Sequence, residues 1–180
     1  MPRSTSCSTA SPAAWPALPE TARLTLRRPR IADTGALFRF MGDPAVMRLT
    51  HCHASPRALR RTLAAHACQR RKTGFGPWTV LETATAAIIG FGGLYEDPFD
   101  PGWGLEVAYF LAPAAQGRGF ARELVAASLA TAWAAGAPRV DAFAHPDNAA
   151  SRGVLRGSGF RLLRHVPEMD RLLYRHDRPA

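Results

Sequence analysis

The chain has 180 residues, 47% of them hydrophobic and 21% charged, which is the size and mix of one soluble globular domain. No apolar run approaches the roughly eighteen residues of a membrane span, and three cysteines (Cys7, Cys52 and Cys68) without C-x-x-C spacing argue against a disulfide framework and for a reducing, cytoplasmic compartment. The net charge of +9, with Lys72 the only lysine, leaves two readings: a solvated basic surface, or a polyanionic partner such as nucleic acid or a phosphate-rich cofactor.

Residues 1–18, "MPRSTSCSTASPAAWPAL", are rich in Ser, Pro, Ala and Thr and read as a disordered tail before a domain over 19–180. "ARLTLRRPR" alternates Leu24 and Leu26 with polar neighbours, an opening strand at 23–28. Asp33 is placed to cap a helix carrying Leu37, Phe38 and Met41, which breaks before Pro44. Ser55 and Pro56 open a second helix over 56–71, with apolar positions at 59, 63 and 67. Strands follow at 78–82 and 87–95, close enough for an antiparallel hairpin. Another strand spans 104–111. Phe120, Leu124, Val125, Leu129, Ala132 and Trp133 make one face of a long helix that Gly136 ends. A strand at 139–145, a short helix at 148–157 and two closing strands complete an α+β order, mainly antiparallel with one parallel crossover.

Two helix starts stand out. "QGRGFA", from Gln116 to Ala121, follows a strand directly. A helix N-terminus carries unpaired N–H groups and partial positive charge, and glycine lets an anion approach the backbone. Amides from Gly117 to Arg122, with the Arg118 and Arg122 side chains, therefore suit a pyrophosphate; a plain glycine turn is the simpler alternative. A dinucleotide site fits less well, because Gly117-x-Gly119 is followed by Arg122 where a third small residue is needed, and Asp141 lies early in its strand. The second start is Asn148, three residues before Ser151, where an Asn cap is the local reading. "HCH" at 51–53 is not expected to hold a metal, on the reading that its two histidines point to opposite sides of the chain and because no second ligand cluster follows.

These segments carry a family resemblance. Gln116-Gly117-Arg118-Gly119-Phe120-Ala121 after "VAYFLAP" resembles the acetyl-CoA motif of the GNAT N-acetyltransferase superfamily. "HPDNAASRGVLRGSGFRL" is similar to the second cofactor motif of its RimJ/RimL-like branch, and "ARLTLRRPRIADTGALFRFMGDPAVMR" and "GFGPWTVLE…IIGFGGL" resemble that branch's opening. The likeness runs from about Glu20 to Arg175. It implies a mainly antiparallel, twisted sheet of six to seven strands flanked by about four helices, splayed at its centre between 104–111 and 139–145. It implies acetyl-CoA as co-substrate, no metal, and transfer to an amine acceptor, either a small molecule or a protein N-terminus. Homodimers are frequent in the family. The strand around Phe110, Leu111 and Ala112 would pair with the pantetheine arm. Gln116, Gly117, Arg118, Gly119, Phe120, Ala121 and Arg122 would hold the pyrophosphate, and Asn148 and Ser151 would sit where the thioester ends.

Acyl transfer to an amine needs a base for the ammonium proton and an acid for the leaving thiolate. Glu106, the one carboxylate in "GLEVAYFLA", is the candidate base, with a solvent-facing strand residue as the alternative. A backbone N–H near Leu111 would hold the thioester oxygen. The tyrosine acid that the superfamily often places on the 148–157 helix is missing, since no tyrosine lies between 110 and 173. In the RimL-like branch the matching acid is Ser151. Tyr109 is a further candidate, second to Ser151, with a core aromatic as the alternative. A non-catalytic acyl-CoA-sensing or RNA-binding module is the rival to the enzyme; RNA is not favoured, because charge alone points to it.

Overall fold

The structure, a computed structural model, describes residues 17–180. The tail expected at 1–18 lies outside the described residues except for Ala17 and Leu18. β1 (Leu24–Arg27) leads through a tight 3-10 turn into α1 (Thr34–Met41). Asp33 precedes α1 but its carboxylate makes no cap bond. It accepts instead from both Arg27 Nη atoms at 2.7 and 2.8 Å, from the Arg30 N–H at 2.8 Å and from Thr79 Oγ1 at 2.8 Å. Burial pushes its pKa up, and these donors more than offset that, holding it below the usual carboxylate range. The expected cap is therefore a tie between β1, the turn and the sheet.

α2 (Pro56–Thr73) begins as the sequence predicts, with Ser55 Oγ accepting from the Ala58 N–H at 3.1 Å. Its buried stripe is Leu59, Leu63, His66 and Arg70, whereas Ala67 is exposed. The helical repeat brings position 66, not 67, onto the face of 59 and 63, so the second half of that face is polar.

β2 (Trp78–Glu82), β3 (Ile88–Tyr95) and β4 (Glu106–Leu111) continue the sheet antiparallel. α3 (Phe120–Ala134) then crosses over to β5 (Arg139–Ala144). α4 (Ala149–Gly157), β6 (Arg161–Val166) and β7 (Arg171–Asp177) finish the chain. The seven strands lie in the order β1-β2-β3-β4-β5-β7-β6. Leu24, Val80, Val107, Val140 and Tyr174 pack with Phe120, Leu124 and Val125 of α3 in the larger core. Leu37, Phe40, Leu59 and Leu63 pack on Phe91 in a second, smaller one.

The consequential join is β4 with β5. It is the one parallel pairing, with a single register pair, Glu106 with Asp141, and the Asp141 N–H donating to Leu105 O at 2.9 Å. Beyond it the strands part. The gap so opened has β4 on one side, α4 on the other and the start of α3 at its end.

Candidate active site

Strand alternation decides which groups of β4 face the gap. Ala112 gives its N–H to Ile89 O at 2.9 Å, and Phe110 is two residues back in the same ladder, so the amides of both belong to β3. Leu105 O points the other way, toward β5, and the backbone groups of Tyr109 and Leu111 share its direction. The backbone groups turned toward the gap are thus those of Tyr109 and Leu111, not of Phe110 and Ala112. Phe110 contributes its ring, which lines a cleft of about 530 Å³ in the gap together with Leu111, Gln116, Gly117, Ala121 and Ser151. Gln116 Nε2 donates to Leu111 O at 3.1 Å and so fixes the strand end to the turn.

At the foot of that cleft α3 starts on two left-handed glycines, Gly117 with φ 72° and Gly119 with φ 83°. A Cβ at Gly117 would meet nothing within 4 Å, so this glycine is needed for its backbone angle and not for space. No side chain caps the helix. The first amide bonded back is that of Glu123, to Gly119 O at 3.2 Å. The N–H groups of residues 117–122 therefore have no acceptor among the described residues. The arginines divide. Arg118 is tied to Glu82, lies over the Phe120 ring at 4.7 Å, and passes its backbone carbonyl to Arg23. Phe120 is core beneath it, 2% exposed. Arg118 and Phe120 can offer an anion only their amides, whereas the exposed Arg122 lies against Gly157 of α4.

Across the gap, Asn148 Oδ1 accepts from the Ser151 N–H at 3.0 Å, so the cap expected from the sequence is present. The Ser151 hydroxyl meets the Tyr109 hydroxyl at 2.9 Å, and the Tyr109 O–H also lies 3.2 Å from Ser151 O. Burial, first, pushes the Tyr109 pKa up to about 12, with the Ser151 bond opposing it. The phenol stays protonated at any working pH and is a donor. Sequence reading undervalues Tyr109; the available signal is its position on β4, three residues past the last pair with β5.

Glu106 is 5% exposed, so the solvent-facing alternative is wrong. It shares a cavity of about 280 Å³ with Tyr95, Asp97, Tyr109, Asn148 and Ser151. Burial, first, and then the charges of Asp97, Asp100 and Asp141 push its pKa up to about 8. Asp141 is held by Arg175 through two bonds of 2.7 Å, so its carboxylate is fully occupied and serves no ribose. A carboxylate that ionises near 8 can take a proton from an ammonium group at little cost. The His51 and His53 rings do not point apart; they meet edge to face with centroids 4.9 Å apart, because residues two apart in an extended segment share a face. Among the described residues no group of three His, Cys, Asp or Glu side chains could hold a metal, and no helix is long and apolar enough to cross a membrane.

Residues 23–161 match the acetyltransferase (GNAT) domain family. The chain belongs to that family. Acetyl-CoA is the acyl donor of this acetyltransferase, and the six unpaired amides at the start of α3 fit its pyrophosphate. Among solved structures, the chain is similar to an acetyltransferase from Agrobacterium tumefaciens strain C58, with 25% identity, a TM-score of 0.74, and coverage of 88% of this chain and 93% of that one. The fold is also shared with RimJ of Mycobacterium smegmatis in complex with CoA-disulfide, with 18% identity, a TM-score of 0.74 and coverage of 91% and 88%. A third similar structure is the Salmonella typhimurium acetyltransferase that modifies the N-terminal serine of ribosomal protein L7/L12, with 16% identity, a TM-score of 0.74 and coverage of 90% and 99%. The GNAT splay is the β4–β5 gap; Phe110, Leu111, Gln116, Gly117, Ala121, Asn148, Ser151 and Glu106 line its two cavities, whereas Ala112 and Arg118 line a separate cleft beside α1 and Phe120 is buried in the core.

Proposed function

We propose that this acetyltransferase acts on a primary amine, with Glu106 as the base and Ser151, backed by Tyr109, as the acid. The observation that carries this reading is convergence: a buried carboxylate, a hydrogen-bonded hydroxyl pair and unpaired amides all border the β4–β5 gap. Bound acetyl-CoA supplies the acyl group as a thioester. The amides of 117–122 and Arg122 hold phosphate, and the backbone of Tyr109 and Leu111 aligns the pantetheine arm as an added strand. The Leu111 N–H is the donor for the carbonyl oxygen. Glu106 takes one proton from the acceptor ammonium, and after attack on the thioester carbon the nitrogen loses its second proton to solvent. As the C–S bond breaks, Ser151 Oγ–H gives a proton to the sulfur, the Tyr109 phenol replaces it, and the phenol regains its own from solvent.

An α-amino group titrates near 8 and a lysine near 10.4, so a base ionising near 8 suits an α-amine, on a small molecule or a protein N-terminus, better than lysine. The likeness to an enzyme acting on an N-terminal serine supports the same class. The test is acetyl-CoA-dependent thiol release against a panel of small amines and peptides with free or blocked N-termini. No thiol release above hydrolysis with any free amine would overturn the reading.

The hydroxyl pair gives a graded expectation. Ser151→Ala lowers kcat about 10- to 100-fold, at or below the usual range for a positioned acid, with acetyl-CoA affinity kept. Tyr109→Phe has a smaller effect of the same kind. The double variant is no worse than Ser151→Ala, because the two act as one relay. Additive losses in single-turnover measurements would break the relay assignment. Asn148→Ala, by contrast, loses the cap, costs about 1 kcal/mol of stability in denaturant unfolding, and raises KM for acetyl-CoA. Asn148→Asp keeps the cap and restores the stability.

A further inference from the structure

Beside the Glu106 cavity, on the α1–α2 face of the sheet, lies another of about 470 Å³, within the usual range for a small-molecule pocket. The two share Tyr95, Asp97 and Phe110 as walls. The new cavity is built around His66 of α2. Three rings meet its imidazole edge to face: Tyr95 at 5.3 Å, Phe99 at 6.0 Å and Phe91 at 6.1 Å between centroids. His66 is only 9% exposed. Its Nδ1 is buried without a partner, and no group among the described residues hydrogen-bonds either ring nitrogen.

That arrangement is expensive as plain core. Leu59 and Leu63 occupy the preceding positions of the same face, and a third leucine would cost no unpaired polar atoms. An unsatisfied buried donor or acceptor costs about 1–3 kcal/mol. Burial, first, pushes the His66 pKa down to about 4, with Arg70 and His53 acting in the same direction and Asp97 against. The ring is therefore neutral at working pH and presents one donor and one acceptor. Asp97 adds a carboxylate to the wall, while Glu106 waits next door.

We infer that this cavity is the acceptor's side-group pocket, and that it takes an aromatic ring with a hydrogen-bonding edge, such as a phenol or indole, carried on a primary amine. The inference rests on the amine-acetyltransferase reading and deepens it. The ring would stack among Tyr95, Phe99 and Phe91, its polar edge would pair with His66, and its ammonium would reach past Asp97 to Glu106. A serine or alanine side chain would leave both the apolar walls and the imidazole unmatched. The shared chemistry comes from two sources: a small aromatic α-amine, or a peptide whose first residue is aromatic.

The experiment compares kcat/KM for the α-amines tyrosinamide, phenylalaninamide and alaninamide, and for peptides beginning with Tyr or Ser, at saturating acetyl-CoA. Tyrosinamide or the Tyr-first peptide is expected to lead its aliphatic counterpart by more than about tenfold, and tyrosinamide to lead phenylalaninamide, since a site built around a hydrogen bond rejects the analogue lacking it. Whichever arm responds identifies the source. His66→Phe should erase the lead of tyrosinamide over phenylalaninamide. Phe99→Ala, at a position 63% exposed and so harmless to folding, should weaken all aromatic acceptors. Calorimetric binding of tyrosinamide and alaninamide to the CoA-saturated protein reads the pocket without chemistry. Equal binding of the two, or a tyrosinamide preference untouched by His66→Phe, overturns the pocket. Aromatic-selective binding with no thiol release from any amine overturns the transfer reading instead.

Discussion

Glu106→Gln is expected to lower turnover at pH 7 by about 10²- to 10⁴-fold, the range for a positioned general base. Acetyl-CoA affinity should hardly change, because Glu106 lines the smaller cavity and not the cleft that reaches the start of α3. The substitution keeps volume and most hydrogen-bonding capacity and removes one ionisation. The parent should gain kcat/KM with rising pH through about 8, where Glu106 ionises. An α-amine acceptor titrates in the same region, so the observed midpoint belongs to the pair. The variant should rise only with the free amine. An undiminished rate at pH 7 would remove Glu106 from the chemistry.

The same shift makes a stability claim with a definite sign. In the unfolded chain this carboxyl ionises near 4.5, and in the folded protein near 8. Between those values the folded state holds a proton that the unfolded state has lost. Stability therefore falls as pH rises through this window, since the unfolded state binds fewer protons. Glu106→Gln cannot ionise and escapes that loss. Its unfolding midpoint should match the parent near pH 5 and exceed it near pH 9. A parent-minus-variant difference that does not change with pH would mean that Glu106 is already ionised in the fold. Burial beside Asp97 and Asp141 is thus a stability cost that grows with pH.

The elements and their order were legible because their signals are local. Ser55-Pro56 starts a helix by cap and ring geometry, and the apolar stripe from Phe120 to Trp133 can be read without any partner. The gap was legible only through resemblance, since nothing within β4 or β5 alone states that they pair once and part. What stayed hidden depends on neighbours distant in sequence. Asp33 resembles a cap because it precedes a helix; Arg27 and Thr79, which claim its carboxylate, meet it only in the folded sheet. The sequence points to Phe110 and Ala112 for cofactor pairing, whereas the backbone of Tyr109 and Leu111 faces the gap, because that parity is set by the register with β3. Tyr109 reads as core in sequence, and only α4 brings Ser151 to its hydroxyl. The apolar stripe of α2 reads on to Ala67, and the fold places His66 on that face instead.

Ala121→Glu should reduce CoA affinity by at least about a hundredfold, or roughly 2.7 kcal/mol, in a protein that folds normally. Ala121 lies in the first turn of α3 and lines the cofactor cleft beside Gln116 and Gly117. Glutamate suits this position in the free protein: it has good helix propensity, and a negative charge in the first turn is favoured by the helix dipole. The melting temperature should therefore hold or rise, which separates this variant from changes at Gly117 or Gly119, whose left-handed angles penalise any side chain. The carboxylate would compete for the unpaired amides that the pyrophosphate needs. It would also repel the pyrophosphate, and two like charges about 4 Å apart at an effective dielectric near 20 differ from neutrality by about 4 kcal/mol. Ala121→Gln brings nearly the same bulk without the charge and should lose much less. Calorimetric titration with CoA and with pantetheine completes the test. CoA carries the pyrophosphate and pantetheine does not, so the Glu variant should lose affinity for the first and keep it for the second. Equal loss for both ligands would mean that the side chain blocks the cleft mechanically, and unchanged CoA affinity would place the pyrophosphate away from the start of α3.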